Sequence, residues 1–177
     1  MNIKNAIHNK VYILLGSNLG DRYAYIKRAT ELIEENIGTL VAVSNVYETE
    51  SWGMEDQPAH LNQALIVNTR LDALEVLKNT QSIEKLLGRT KKSRWDNRII
   101  DIDIIFFNQE IINLEKLTIP HPHFQERNFA IIPFSEIAGD YKHPIFHKSI
   151  KEIMDHSQDA LKVKKYRNEA SELKKNK

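Results

Sequence analysis

The chain has 177 residues, of which 41% are hydrophobic and 28% are charged. This length suits one domain with a sizeable core, and no stretch approaches the roughly eighteen consecutive apolar residues of a membrane span. The absence of cysteine excludes disulfides and thiolate metal sites. It also fits a reducing compartment, so we expect a cytoplasmic protein.

The charge is unevenly distributed. Residues 148–177 carry nine basic and five acidic side chains, whereas residues 1–147 carry 16 basic and 19 acidic ones. The body of the chain is therefore mildly acidic, which disfavours a general nucleic-acid surface. We expect a monomer with no nucleic-acid or membrane partner.

The first predicted element is a buried strand, Lys10–Leu15, that runs into the turn Gly16–Arg22. The turn lacks the Gly-Lys-Ser/Thr ending of a phosphate loop, so a structural turn is favoured. A helix should follow and end near Gly38. Its apolar residues at helical spacing are Tyr25, Ala29, Leu32 and Ile33.

Two further strands are predicted at residues 39–47 and 61–69. The segment between them, 48–60, has bulky apolar residues without a period, so it either packs on itself or closes on a ligand. Asn62 and Gln63 begin the third strand. Their amides either bind a heterocycle or cap the strand.

Asp72 is the predicted N-cap of a second helix that ends at Gly88. Its predicted inward side comprises Leu74, Leu77, Ile83, Leu86 and Leu87. Gln81 and Glu84 are three residues apart and so are neighbours on this helix; from the residues alone, a solvated face is favoured for them.

An acidic strand follows, with Asp101 and Asp103 two residues apart. Alternate side chains of a strand share a face, so both carboxylates point one way. The opposite face is predicted to carry Ile100, Ile102, Ile104 and Phe106. Two such carboxylates suit Mg²⁺, which takes oxygen ligands together with substrate phosphates. The alternative is an edge strand whose acids meet only solvent.

Basic residues precede this acid pair in the sequence. They are Arg89, Lys91, Lys92, Arg94 and Arg98, with one intervening acid, Asp96. Guanidinium and ammonium groups bind phosphate oxygens. The combination of an acid pair and a basic loop predicts metal-assisted phosphoryl transfer.

The remaining elements are shorter. Asn108-Gln109 is predicted to turn the acidic strand into a small hairpin with residues 110–112, and residues 117–123 should be extended. A helix at 125–138, bent at Pro133, should point Phe129, Ile132 and Ile137 inward. We expect a single domain at 1–164 and a frayed Lys-rich tail at 165–177.

The order of elements predicts the α+β class. Strand, helix, strand, strand, helix and strand form a ferredoxin-like split βαβ arrangement, with a mainly antiparallel sheet and helices on one face.

Six blocks of sequence resemble the 6-hydroxymethyl-7,8-dihydropterin pyrophosphokinase family of folate synthesis, over about residues 11–140. The blocks are Gly16–Arg22, Tyr47-x-Thr49 with Asp56–Pro58 and Leu61-Asn62, Gln81-x-x-Glu84 with Gly88-Arg89, Arg94-Trp95 through Asp103, Thr118-x-Pro-His121, and Glu126-Arg127-x-Phe129.

The resemblance implies a kinase that transfers a pyrophosphoryl group from MgATP to the hydroxymethyl oxygen of the pterin and releases AMP. It implies that Asp101 and Asp103 hold two Mg²⁺ ions. It also implies that Arg89 and Arg98 clamp the polyphosphate.

The resemblance also assigns residues to the two substrates. The residues implied at the nucleotide are Gln81, Glu84, Trp95, Arg98, Ile104, Thr118, His121 and Arg127. The residues assigned to the pterin are Thr49, Trp52, His60, Asn62, Trp95 and Phe129. Many family members have a tyrosine where this chain has His60, which either covers the pterin ring or caps the strand toward solvent.

Two other functions are compatible with the same fold class. A palm-like nucleotidyltransferase or cyclase would use the same acid pair but would release pyrophosphate, and it leaves Asn62 and Phe129 unexplained. An RNA-binding module would place exposed aromatic residues at the centre of the sheet, where this chain has Asp101 and Asp103.

Overall fold

The computed structural model describes residues 8–50, 58–89 and 98–168. Its strands are β1 (Asn9–Ser17), β2 (Thr39–Val43), β3 (Tyr47–Thr49), β4 (His60–Thr69), β5 (Asp101–Phe107), β6 (Ile112–Leu114), β7 (Leu117–Ile119) and β8 (Val163–Lys165). Its helices are α1 (Arg22–Asn36), α2 (Ala73–Leu86), α3 (Asn128–Ala138) and α4 (Ile150–Asp155). A 3-10 turn at Phe124–Glu126 precedes α3.

The main sheet is antiparallel and has the order β5, β1, β4, β3, β8, with β2 also paired to β4. The predicted strand at 39–47 is divided in two: β2 pairs with the second half of β4 and β3 with the first half. Ser44 lies at the division, where its hydroxyl accepts the Ala64 N–H. The α+β class and the mainly antiparallel sheet are confirmed.

Helices cover both faces of this sheet, although the sequence predicted them on one. On the first face, α1 and α2 pack against the β1 residues Val11, Ile13 and Leu15. On the second face, α3 and α4 pack against Tyr12 and Leu14. The central strands are therefore buried on both sides, which explains their nearly continuous apolar sequences. Among the described helices, none combines the length and the apolar character that crossing a bilayer requires.

The Asp72 N-cap of α2 is confirmed, because its side chain accepts the Glu75 N–H while Glu75 bonds back to the Asp72 N–H. The predicted inward side of α2 is wrong in part. Leu74 is 49% exposed and Leu86 71% exposed. The buried residues are Ala73, Val76, Thr80 and Ile83. This stripe also has helical spacing, and its small residues suit a close approach to the sheet.

A β-bulge changes which residues of β5 share a face. The register between β1 and β5 shifts beside Tyr12 and Ile13. As a result Phe106 lies in the core under α3, and Phe107 lies in the core under α1 and α2. The predicted grouping of Phe106 with Ile102 and Ile104 is therefore wrong, because an extra residue reverses the alternation of side chains.

The short elements after β5 also differ from the prediction. Residues 108–109 do form a turn, but β6 pairs with β7 and not with β5. In α3 the buried residues are Ala130, Ile131, Pro133 and Phe134, whereas the predicted inward residues Phe129, Ile132 and Ile137 are half-buried.

The predicted start of the tail falls inside β8, which ends at Lys165. Tyr166 then donates its N–H to the Val46 C=O at 2.8 Å. Strand pairing thus continues past the expected boundary at residue 164. Residues 169–177 lie outside the described residues, and the division of the chain into one domain and a tail stays a prediction.

His143 is buried in the second core, with 1% of its surface exposed. Its Nδ1 accepts the N–H groups of Ile145 at 3.2 Å and Phe146 at 3.3 Å. A nitrogen that accepts hydrogen bonds carries no proton, so the ring is neutral in the folded protein. Burial, together with the neighbouring His147, lowers the pKa of His143 to about 4.

This environment predicts acid sensitivity. The unfolded imidazole binds a proton near its usual pKa of about 6.5, whereas the folded one binds it only near pH 4. The contribution of the neutral ring to the free energy of unfolding is complete above pH 6.5. It is lost as the pH falls toward 4, by at most about 1.4 kcal/mol per pH unit.

The check is urea unfolding at several pH values, comparing the parent with His143→Asn, whose amide oxygen replaces the Nδ1 acceptor without titrating. The difference in free energy of unfolding between the two proteins should shrink on acidification. A difference that is constant from pH 7 to pH 4.5 would contradict the assignment of a neutral, buried ring.

Candidate active site

One row of paired residues crosses the sheet near the end of β1. Gly16 pairs with Asp101 of β5 on one side and with Asn62 of β4 on the other. Directly paired residues project to the same face, here the face that carries α3 and α4. Asp103 lies two residues farther along β5 and shares this face, as the sequence predicted.

Gly16 keeps the space between the acid and the amide open. A Cβ at this position would lie 3.0 Å from Asn62 Nδ2 and 3.9 Å from Asp101 Cβ. Sequence analysis treated Gly16 as part of a structural turn and missed this contribution. This contribution depends on the pairing register of three strands, which the sequence of one strand does not reveal.

Two arginines bind the first carboxylate. Arg89 Nη1 donates to Asp101 Oδ1 at 2.7 Å, and Arg98 Nη1 donates to Asp101 Oδ2 at 2.7 Å. Arg89 also pairs with Glu84 on α2. Glu84 Oε1 in turn accepts the Ile102 N–H at 2.8 Å. Alternating charges thus connect the end of α2 to the start of β5, and the solvated face favoured for Glu84 from the residues alone is wrong.

Burial, together with the negative charge of Asp101, raises the pKa of the Asp103 carboxyl to about 7. Arg89, Arg98 and Arg127 act in the opposite direction. Burial also raises the pKa of Glu84 to about 7, against the Ile102 N–H and the charge of Arg89. Both groups would gain from additional positive charge, because a cation favours the carboxylate form.

The turn after β1 holds the backbone that leads into β5. Asn18 Oδ1 accepts the Arg98 N–H at 2.7 Å, and the Asn18 N–H donates to the Arg98 C=O at 3.1 Å. The Ser17 hydroxyl donates to the Ile99 C=O at 2.5 Å. These contacts agree with the structural role favoured for the turn, and they position Arg98 beside Asp101.

Beside the acids, two buried oxygen atoms have no hydrogen-bond partner within the described part of the chain. They are Thr49 Oγ1 and Asn62 Oδ1, on residues that are 2% and 5% exposed. Asn62 Nδ2 donates to the Leu15 C=O at 3.2 Å, which turns Oδ1 the other way. An unpaired buried polar atom costs about 1–3 kcal/mol. Such atoms are suited to bind a polar ligand.

His60 and Gln63 lie on opposite faces of the sheet. His60 pairs with Thr49 at the start of β4 and is half-buried, on the face of Asn62. Burial lowers the pKa of His60, and the charge of Arg22 lowers it further. Gln63 instead donates to the Ser44 C=O at 2.8 Å. Of the two amides noted in the sequence, Asn62 alone faces the acids.

The segment from β7 to α3 adds a histidine, an arginine and an aromatic ring. The His121 N–H donates to the Ile105 C=O at 2.9 Å, which holds this residue against β5. Burial lowers the pKa of His121, as does the charge of Arg127. The Arg127 guanidinium lies 5.8 Å from the centroid of the Phe129 ring, which is half-buried.

Three predicted nucleotide residues have other surroundings. The Ile104 side chain is buried in the core under α1 and α2, away from the acids. Gln81 and Thr118 are exposed, on α2 and β7 respectively. The predicted Trp52 and Trp95, and the central parts of both predicted loops, lie outside the described residues.

The acid pair, the converging arginines and the antiparallel α+β fold are features of a phosphoryl-transfer enzyme that handles a polyphosphate. Among residues 8–50, 58–89 and 98–168, no three His, Asp or Glu side chains form a metal-binding group. Two carboxylates nevertheless suffice for Mg²⁺ when substrate phosphates supply other ligands.

The model of the family 7,8-dihydro-6-hydroxymethylpterin-pyrophosphokinase matches residues 12–139. A Bacillus subtilis protein named 2-amino-4-hydroxy-6-hydroxymethyldihydropteridine pyrophosphokinase is 45% identical over 132 residues, covering 74% of this chain and 79% of that protein. An Aquifex aeolicus protein with the same name is 41% identical over 142 residues, covering 80% and 88%. The chain therefore belongs to this pyrophosphokinase family of folate biosynthesis.

Solved structures agree on the fold. A Plasmodium falciparum HPPK-DHPS triple mutant superposes with a TM-score of 0.70 at 18% identity, covering 84% of this chain. The present chain spans 43% of that longer protein.

Glu84 permits a test of the link between α2 and β5. Glu84→Ala leaves the buried Ile102 N–H without an acceptor and should lower the free energy of unfolding by about 1–3 kcal/mol. Glu84→Gln keeps an oxygen acceptor and should cost clearly less. Urea unfolding at pH 7 measures both values, and equal losses would contradict the role of the Ile102 contact.

Proposed function

We propose that this chain transfers the β,γ-pyrophosphoryl group of ATP to the hydroxymethyl oxygen of 6-hydroxymethyl-7,8-dihydropterin. The oxygen bonds to the β-phosphorus, the bond from that phosphorus to the oxygen bridging to the α-phosphate breaks, and AMP and the hydroxyl proton are released. The supporting observation is the row in which Asp101 and its arginines are separated from Asn62 only by Gly16. A polyphosphate and a heterocycle can thus meet at one place.

The residues present fit magnesium. Asp101 and Asp103 share a face, and a nearby cation would favour the carboxylate form of Asp103, against the burial that raises its pKa. We assign both residues to two Mg²⁺ ions, which when bound neutralise phosphate charge and polarise the β-phosphoryl group.

Arg89 and Arg98 act on the transferred group. Both guanidinium groups now bind Asp101. Phosphate oxygens accept hydrogen bonds in the same geometry as a carboxylate, so each guanidinium group can exchange Asp101 for a bound polyphosphate. There they stabilise the charge that develops as the β-phosphorus is attacked. We assign His121 and Arg127 to the same triphosphate.

The nucleotide base is assigned to the outer edge of β5. The Ile102 N–H points outward to Glu84, so by alternation the N–H and C=O of Ile104 also point outward. We therefore assign the base to the backbone of Ile104, since its side chain is buried. Gln81, Thr118 and Trp95 remain proposed contacts of the nucleotide, and Trp52 remains a proposed contact of the pterin.

The pterin is assigned to the unpaired oxygens on the other side of Gly16. Asn62 Oδ1 can accept an N–H from the ring edge, and the Thr49 hydroxyl can bond beside it. Phe129 and His60 are assigned to the two ring faces. Pairing these oxygens with ligand groups would remove the cost of leaving them unsatisfied.

The rival functions explain less. A nucleotidyltransferase or cyclase uses the acid pair, but it gives no role to Thr49 and Asn62. An RNA-binding module needs exposed aromatic rings where Asp101 and Asp103 lie. A cytoplasmic location, a monomeric state and the absence of a nucleic-acid or membrane partner remain predictions from composition.

The reaction products provide the direct test. The protein is incubated with MgATP and the hydroxymethyl pterin, and the nucleotides are separated by chromatography. AMP formed in proportion to pterin diphosphate is expected. ADP would indicate single phosphoryl transfer, and pyrophosphate would indicate nucleotidyl transfer; either result would overturn the proposal.

The acid pair should govern the chemical step. Asp101→Ala and Asp103→Ala are each expected to lower the turnover number by about a hundredfold, because the lost charge is needed most in the transition state. Pterin affinity should be largely retained. Asp140→Ala is the matched control, since this acid is 94% exposed at its side chain. Near-normal turnover of both site variants at ordinary Mg²⁺ would contradict the metal assignment.

His60 should form one wall of the pterin pocket. His60→Tyr should keep or tighten pterin binding, whereas His60→Ala should weaken it by about 1 kcal/mol, as for an aromatic pair. ATP affinity should not change. Calorimetric titration of a pterin analogue into the complex with an ATP analogue measures the effect. An alanine variant that binds the pterin as tightly as the parent would show that His60 caps the strand instead.

A further inference from the structure

Strand β8 lies beyond residues 12–139, the part that the family model matches, yet it borders the strand that carries Thr49. All three residues of β3 pair with it: Tyr47 with Lys165, Glu48 with Lys164, and Thr49 with Val163. β3 is only three residues long. Its position in the sheet therefore depends on its two neighbours, β4 and β8.

The hydrogen bonds between β8 and β3 follow from one observed bond. The Tyr166 N–H donates to the Val46 C=O at 2.8 Å, so these residues form a hydrogen-bonded pair. Hydrogen-bonded and non-hydrogen-bonded pairs alternate along an antiparallel ladder, so Glu48 and Lys164 form the next hydrogen-bonded pair. The Lys164 N–H thus points toward β3, while the Lys165 N–H points away from it.

Arg22 connects β3 to the start of β4 on the face of the sheet that carries α1 and α2, opposite to the face of Thr49 and Asn62. Its Nη1 donates to the Ala59 C=O at 2.5 Å and to Glu48 Oε1 at 3.2 Å. These partners directly precede His60 and Thr49. Lys164 Nζ also lies 3.5 Å from the second oxygen of Glu48.

Tyr166 extends the same contacts beyond β8. Its ring lies 6.0 Å from the Arg22 guanidinium and 5.9 Å from the ring of Tyr23. Arg22 and Glu48 are each less than a quarter exposed at their side chains. The charges of Arg22 and Glu48 are therefore partly shielded from water. A hydrogen-bonded ion pair in this environment holds its partners in place more firmly than an ion pair at an open surface.

We propose that β8 and Arg22 together are a positioning element for pterin binding. Thr49 and Asn62 lie on neighbouring strands, so the placement of β3 against β4 sets the separation of their two unpaired oxygens. β8 fixes β3 from its outer edge, and Arg22 fixes it through Glu48. This inference rests on the proposed function, in which both oxygens bind the pterin.

A pair of proline variants separates positioning from general stability. Lys164→Pro removes an N–H that bonds to β3, whereas Lys165→Pro removes an N–H directed away from β3. Lys164→Pro should raise the dissociation constant of a pterin analogue about fivefold and raise KM for the pterin similarly. The dissociation constant of an ATP analogue should not change, and Lys165→Pro should behave as the parent.

A second pair tests Arg22 without changing the backbone. Arg22→Gln should weaken pterin binding and spare ATP binding. Arg28→Gln is the matched control, because Arg28 lies on the same helix and pairs only with Glu31 and Glu35 among the described residues. If Lys164→Pro does not fold, Arg22→Gln decides the question with the same readout.

The outcomes distinguish the two proposals. A parent that makes AMP and binds the pterin, with variants that bind it equally tightly, would overturn the positioning role alone. Equal loss of pterin and ATP affinity would also overturn it, since that indicates a general structural defect. A parent that neither binds the pterin nor forms AMP would overturn the proposed function itself.

Discussion

The site depends on the cost of placing two negative charges side by side on a largely buried sheet face. Asp101 and Asp103 are neighbours on that face, and the negative charge of Asp101 disfavours ionisation of Asp103. Asp101 is stabilised by two guanidinium groups, whereas Asp103 shows the cost in its raised pKa. This arrangement suits the proposed cations and polyphosphate, because Arg89 and Arg98 can exchange Asp101 for phosphate oxygens.

The same constraint explains the connection between α2 and β5. Glu84 is buried enough that its pKa rises, and it is held by the Ile102 N–H and by Arg89. The helix end therefore positions the arginine that reaches Asp101. Glu84, which the helix alone predicts to be a surface residue, therefore contributes to the charge network at β5.

The second face of the sheet has an aromatic part and a polar part. Toward the middle of the strands, Tyr12, Phe106 and Phe134 form an aromatic core with ring centroids 5.8 to 6.4 Å apart. Toward the end of β1, small and polar residues replace them, and Thr49 and Asn62 keep unpaired oxygens. Two unpaired buried oxygens lower the free energy of unfolding of the protein without ligand. Proteins tolerate unpaired buried polar atoms of this kind at binding sites.

The sequence by itself determined the order of β1, α1, β2, β4, α2 and β5, the α+β class, the Asp72 cap and the shared face of Asp101 and Asp103. These depend on local rules, namely side-chain periodicity and capping, which act within a few residues. The family was also recognisable from its motifs. The sequence did not reveal which α2 residues are buried, because two stripes of that helix have apolar spacing and the sheet selects between them.

The tertiary structure decided every feature that depends on pairing between distant segments. The bulge opposite Tyr12 and Ile13 moved Phe106 to the other core, and the register of β1 placed Gly16 between Asp101 and Asn62. It also turned Gln63 away from the site and brought β8 beside Thr49. Strand register joins residues tens of positions apart, and a shift of one residue reverses the face of every side chain. Local periodicity therefore places the two acids together, but only the assembled sheet places them near the unpaired oxygens of Thr49 and Asn62.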